Sequence, residues 1–185
     1  MFRNAEGRFF QDVTTAGGFG HLQKGHGIAF ADIDNDGDQD IFANMGGAYS
    51  GDVYREALFE NSGSCNRWLK LQLVGTRSNR AAIGARIKVS VKTKAGPRRL
   101  NKTVNSGGSF GANPLRQEIG LGEAESIRHV EIFWPVTVRT QTVTGLRINA
   151  TYRIKEGNPE PELIRLTRLK LKGRPGHADH AHQHD

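Results

Sequence analysis

The chain has 185 residues, 36% of them hydrophobic and 24% charged, with a formal net charge of +7. That length and apolar share suit one ordinary domain or two small ones and exclude a disordered or fibrous chain. A lone cysteine, Cys65, excludes an intrachain disulfide framework, and no window approaches the ~18 apolar residues of a transmembrane helix.

The opening, MFRNAEGRFF, lacks the apolar run of a signal peptide, so the chain reads as already processed, part of something longer, or not exported as written. Two short strand-like runs follow, GIAFAD and DIFAN, on either side of the stretch DIDNDGDQD. That stretch places Asp32, Asp34, Asp36, Asp38 and Asp40 on alternate positions. Carboxylates so crowded either raise one another's pKa or require a cation. A hard divalent ion resolves the conflict, and the D-x-D-x-D-G spacing offers calcium side chains at loop positions 1, 3 and 5 with glycine at the sharp turn. Here these are Asp32, Asp34, Asp36 and Gly37, with the carbonyl of Asp38 and the carboxylate of Asp40 completing the set. The helix-loop-helix calcium motif needs a bidentate Glu at position 12 of the loop; Ala43 stands there, so the ion is expected to hold a strand-loop-strand turn. The plain alternative is an acidic surface turn without metal. Magnesium fits less well because it keeps its waters.

Beyond NSGSCN the apolar residues recur with period two. Leu69, Leu71 and Leu73 alternate in WLKLQLV, Ile87, Val89 and Val91 in ARIKVSVK, and Val130, Ile132 and Trp134 in HVEIFWP. The Thr- and Val-rich run VTVRTQTV and the segment TYRIK read the same way. No window has a helical period and 23 glycines punctuate the strands, so the predicted class is all-β. The expected units are residues 1–63 (a calcium-binding strand-loop-strand repeat), 64–157 (longer strands in a β-sandwich or jelly-roll-like arrangement), and 158–185 (a basic strand-like segment and a His-rich tail).

The run GRFFQDVTTAGG followed by GHGIAFADIDNDGDQDIF resembles one FG-GAP/VCBS repeat, the calcium-binding blade unit of integrin-type propellers. The later stretches NRWLKLQLVGTRSNRAAIGARIKV and NSGGSFGANPLRQEIGLGEAESIRHVEIFWP resemble the ASPIC/UnbV domain, which follows such repeats in cartilage acidic protein-like and bacterial exported proteins. The resemblance spans residues 4–157. It implies an extracellular structural or adhesive module with calcium on Asp32, Asp34, Asp36, Asp38 and Asp40. It departs in having one repeat and in reading WPVT where the family commonly has WPSG.

A single blade leaves sheet edges open, so three arrangements are expected: further blades in a longer chain, packing on the chain's own second unit, or completion by other copies. LIRLTRLKLK, residues 163–172, alternates like a strand with a phase slip, and either folds back or adds to another subunit's sheet. The expected partners are cell-surface protein or carbohydrate, or copies of the chain itself in a homo-oligomer, with no nucleic acid. GGSFG, around Ser109, matches a hydrolase nucleophile pattern but lies among strands, and a glycine-rich turn accounts for it better. No enzymatic activity is expected. In the tail, His177, His180, His182 and His184 form a secondary metal-ligand candidate at a chain end with no apolar anchor.

Overall fold

The computed structural model describes residues 1–21, 24–47, 49–61, 63, 65–105, 107–108 and 110–171. Among these residues all regular structure is β, with no helix and no closed barrel. The predicted class is therefore met.

The first part of the chain forms two small sheets. β1 (Phe2–Ala5) and β2 (Phe9–Asp12) make a hairpin whose turn places Glu6 at φ 54° and Gly7 at φ 75°. β3 (Gly25–Ala31), β4 (Asp40–Met45) and β5 (Ala57–Phe59) form an antiparallel three-stranded sheet. β3 and β4 are the strand-like runs flanking the aspartates, and their register closes at Ala31 opposite Asp40.

The larger part consists of two four-stranded sheets. One runs β11 (Arg139–Val143), β10 (Ser126–Trp134), β7 (Arg86–Thr93), β8 (Gly96–Thr103). The other runs β13 (Glu162–Ile164), β12 (Ala150–Lys155), β6 (Arg67–Val74), β9 (Gln117–Gly122). The period-two positions are why they stack. Leu69, Leu71 and Leu73 of β6 join Ile87, Val89 and Val91 of β7 and Val130, Ile132 and Trp134 of β10 in one buried cluster. Burying each such side chain contributes about 1.5–3 kcal/mol against the entropy of ordering it. The indole N–H of Trp134 donates to Gln141 Oε1 at 3.0 Å, so the largest core side chain leaves no polar atom stranded.

Where the sheet edges approach, side chains bridge them: Arg98 of β8 donates to the Leu121 carbonyl at 2.9 Å and Lys102 to that of Glu118 at 2.7 Å. Both acceptors lie on β9.

One expectation needs correction and another is narrowed. Val136 and Val138 do not begin a strand: residues 135–138 turn between β10 and β11, with Val138 at φ 53°. The strand-like segment 163–172 takes the fold-back alternative for a short stretch: among its described residues only Leu163 and Ile164 are strand, as part of β13, which pairs antiparallel with β12 of the same chain. The apolar phase slip after Leu166 prevents one face from staying buried, and the chain leaves the sheet. The His177, His180, His182 and His184 candidates lie outside the described residues, as does Ser109.

Candidate metal centre

The loop between β3 and β4 starts at Asp32 and leads to Asp40 at the head of β4, and the antiparallel register pairs Asp40 with Ala31, next to Asp32. Asp34 joins them. All three are buried, and one carboxylate oxygen from each lies within 4.8 Å of the others. Backbone amides turn inward to meet them. Asp32 accepts the Asp36 N–H at 3.0 Å and the Gly37 N–H at 2.8 Å; Asp40 accepts Ile33 N–H and Asn61 N–H, each at 2.9 Å.

This path requires unusual backbone. Asn35 sits at φ 62°, which its short polar side chain tolerates, and Gly37 at φ 114°. A Cβ on Gly37 would also overlap the Trp68 indole, so only glycine fits.

The other two predicted ligands adjoin these three without joining the 4.8 Å group. The largely buried Asp36 side chain pairs with the exposed Arg168 at 2.9 Å and accepts the Asp38 N–H at 3.2 Å. Asp38 has a buried Oδ1 with no hydrogen-bond partner among the described residues. Its pKa is pushed up to about 6, first by burial and then by Asp36, Asp40 and Asp34, with Arg168 opposing. This buried carboxylate oxygen, beside three clustered carboxylates, is a further hard donor that a cation could take.

The larger sheets supply partners that the loop's own sequence does not announce. Glu118 of β9 accepts the Asp32 N–H, at 3.2 Å to each oxygen, and the Gln39 amide at 2.9 Å. Arg116 binds Glu118 at 2.9 Å and the Asp32 carbonyl at 3.1 Å. Lys70 of β6 forms an ion pair with Asp32, both side chains almost wholly inaccessible, and its ammonium lies 4.6 Å from the Trp68 ring centroid. Burial, then Arg116, pulls the Lys70 ammonium down to about 8, with Glu118 opposing.

From the C-terminal side, residues following β13 cross the loop tip. The Leu169 N–H donates to the Asp34 carbonyl at 2.7 Å, and the Asn35 amide to the Thr167 carbonyl at 3.1 Å. The loop is thus held by β6, β9 and the C-terminal segment at once. Elsewhere the Phe30 N–H donates to Asn113 Oδ1 at 2.9 Å, which fastens β3 to the connection before β9.

Among the described residues, six carboxylates (the five aspartates and Glu118) face four cations (Lys70, Arg116, Arg168 and Lys102, which couples to Glu118), leaving two negative charges in excess. The donors are all hard oxygens, which suits calcium or magnesium and not zinc or copper. A cavity of about 420 Å³ adjoins the loop, lined by Asp36, Asp38, Trp68, Lys70 and Glu118 among others.

Lys70, Arg116, Glu118 and Arg168 were not legible as site residues. Lys70 sits at an alternate position of WLKLQLV, where the period marks it as facing solvent like Gln72. It is buried because the acidic loop covers that end of β6. His21, ahead of β3, packs edge-on against Phe59 with the ring centroids 5.4 Å apart and takes no part.

Residues 75–161 match the family model described as ASPIC and UnbV. The match covers β7 to β12 and stops before β13, and the carboxylate loop lies outside it. No curated protein matches the chain.

Proposed function

We propose that the chain is a calcium-stabilised, non-catalytic structural or binding module of the extracellular space, with an FG-GAP/VCBS-like repeat preceding the ASPIC/UnbV-like unit. The observation that carries this reading is the convergence of Asp32, Asp34 and Asp40 inside a D-x-D-x-D-G loop. Asp38 and, after turning from Arg168, Asp36 stand close enough in sequence to extend the shell. The ion's chemistry here is charge neutralisation: it replaces carboxylate repulsion by coordination and stiffens the turn that both units share. Millimolar extracellular calcium fills even a weak site of this kind, which favours an exported location.

A second reading, association through the small sheets, has support of its own. Phe42 and Leu58 are cross-strand neighbours on β4 and β5 and both are exposed, as are Phe2, Phe9 and Phe10 on the hairpin. Apolar surface of this kind suits burial against another blade or another copy.

Thermal unfolding in calcium and in excess chelator, with light scattering on the same samples, tests both. Calcium at about a hundred times Kd stabilises by ~2.7 kcal/mol, a rise of roughly 5–10 °C for a chain of this size. Asp34→Ala should abolish that rise. No shift in the parent protein would refute the calcium reading, and large particles would favour association.

A further inference from the structure

The strongest unexplained feature is a buried ammonium. Lys70 lies on the face of β6 that points away from the hydrophobic cluster, and its side chain is 1% exposed while that of its partner Asp32 is 0%. Lysine almost never occupies such a position unless an anion requires it. Among the described residues the ammonium has its ion pair with Asp32 and the face of Trp68, and no other acceptor takes its remaining N–H groups. Asp32 in turn is the first acid of the D-x-D-x-D-G loop and already accepts two loop amides. The ammonium is therefore the one fully buried positive charge among the described groups touching the three clustered carboxylates.

We propose that Lys70 is the resident cation of the centre, a tethered counter-charge that holds the acidic loop folded without metal and lowers the site's affinity for a divalent ion. The inference rests on the calcium reading above and specifies which residue sets the strength of that site. Its physics is competition for one carboxylate. A divalent ion seated among Asp32, Asp34 and Asp40 must share Asp32 with an ammonium that cannot retreat into water, and the like charges repel across a few ångströms of low-dielectric interior. Removing the ammonium removes the repulsion and deepens the negative potential that draws the ion. In the absence of metal the same removal leaves Asp32 as a buried, uncompensated charge. Lys70 thus exchanges affinity for independence from the ion. Lysine suits this role better than arginine, because its compact ammonium presents a point charge that one carboxylate can match.

The experiment uses the full chain, with calcium alone as the probe. Calcium binding is titrated by calorimetry and denaturant unfolding is measured in chelator, for the parent protein, Lys70→Met, Lys70→Gln, and Lys94→Met as a control for net charge on an exposed turn. The expected result is calcium binding at least about tenfold tighter in both Lys70 variants, lower stability in chelator, and no change for Lys94→Met. Variants that are unfolded in chelator and fold on adding calcium, while the parent binds calcium more weakly, also support the proposal. Parent-like or weaker binding in the Lys70 variants overturns it while leaving the calcium reading intact, as does failure to fold in either condition while the parent still binds. If neither parent nor variants bind calcium, both fall together.

Discussion

Glu156 follows the last residue of β12 and closes the loop at residues 76–78. One carboxylate oxygen, Oε2, accepts the backbone N–H groups of Thr76, Arg77 and Ser78 at 2.8, 2.9 and 2.8 Å. The other, Oε1, accepts the hydroxyls of Ser78 and Thr137, both at 2.9 Å. Burial raises its pKa, and the hydrogen bonds from Ser78, Thr76 and Arg77 outweigh that and hold the carboxyl down at about 2. The depressed folded value fixes the sign. Stability from this group is fully present above the ordinary carboxylate range near 4.5 and is lost as pH falls from there towards 2. The whole shift corresponds to a ceiling of roughly 3 kcal/mol, and solvent screening at the rim of the loop reduces it to about 1–2 kcal/mol. Glu156→Gln keeps an oxygen for the three amides and an NH₂ that the two hydroxyls can accept from, so it should cost only about 1–2 kcal/mol, the charge-assisted part. Glu156→Ala strands three amides and should cost about 3–5 kcal/mol. Urea unfolding at neutral pH and at pH near 3 separates them: the parent and Glu156→Gln should converge in acid while Glu156→Ala stays lower. Equal losses for Gln and Ala, or a difference between parent and Gln that does not shrink in acid, would refute this account of the loop.

Three other outcomes are expected. Gly37→Ala must adopt a positive φ and displace the Trp68 indole, and should destabilise by about 2–4 kcal/mol with altered tryptophan fluorescence; a loss under ~0.5 kcal/mol would mean that the loop adapts freely. Arg168→Ala removes an ion pair whose arginine side is 69% exposed, so global stability should change by about 0.5 kcal/mol or less, while hydrogen exchange at the Leu169 amide quickens in chelator. Leu71→Ala empties a fully buried position far from solvent and should cost about 3–4 kcal/mol, with the calcium-dependent rise in melting temperature retained.

Strands buried on one face were legible because burial imposes a period that chance rarely reproduces: Leu69, Leu71, Leu73 and their counterparts on β7 and β10 needed no structure to identify them. Edge strands lack that signature. β8, GPRRLNKT, exposes most of its side chains and carries no alternation to read, and β9, QEIGLG, is interrupted by glycine. At the centre, the aspartate spacing was visible because all five residues are local. Its counter-charges were not, since Arg116 lies 84 residues from the Asp32 carbonyl it binds and Arg168 lies 132 from Asp36. Nothing within the period of β6 distinguishes Lys70 from Gln72; the difference is made by a loop packed across that strand.

β6 and β12 are neighbours in parallel, an arrangement that no hairpin can produce, and Trp68 reaches Asn149 at a sequence separation of 81. Such pairings are slow to form because the ends must first find each other. Synthesis proceeds from the N-terminus, so the ribosome delivers the acids of the loop first, Lys70 later and Arg168 near the end. Until Lys70 is added the nascent loop has none of the cations that balance it in the folded chain, and over that stretch the ions of the surrounding solution are what can offset its charge.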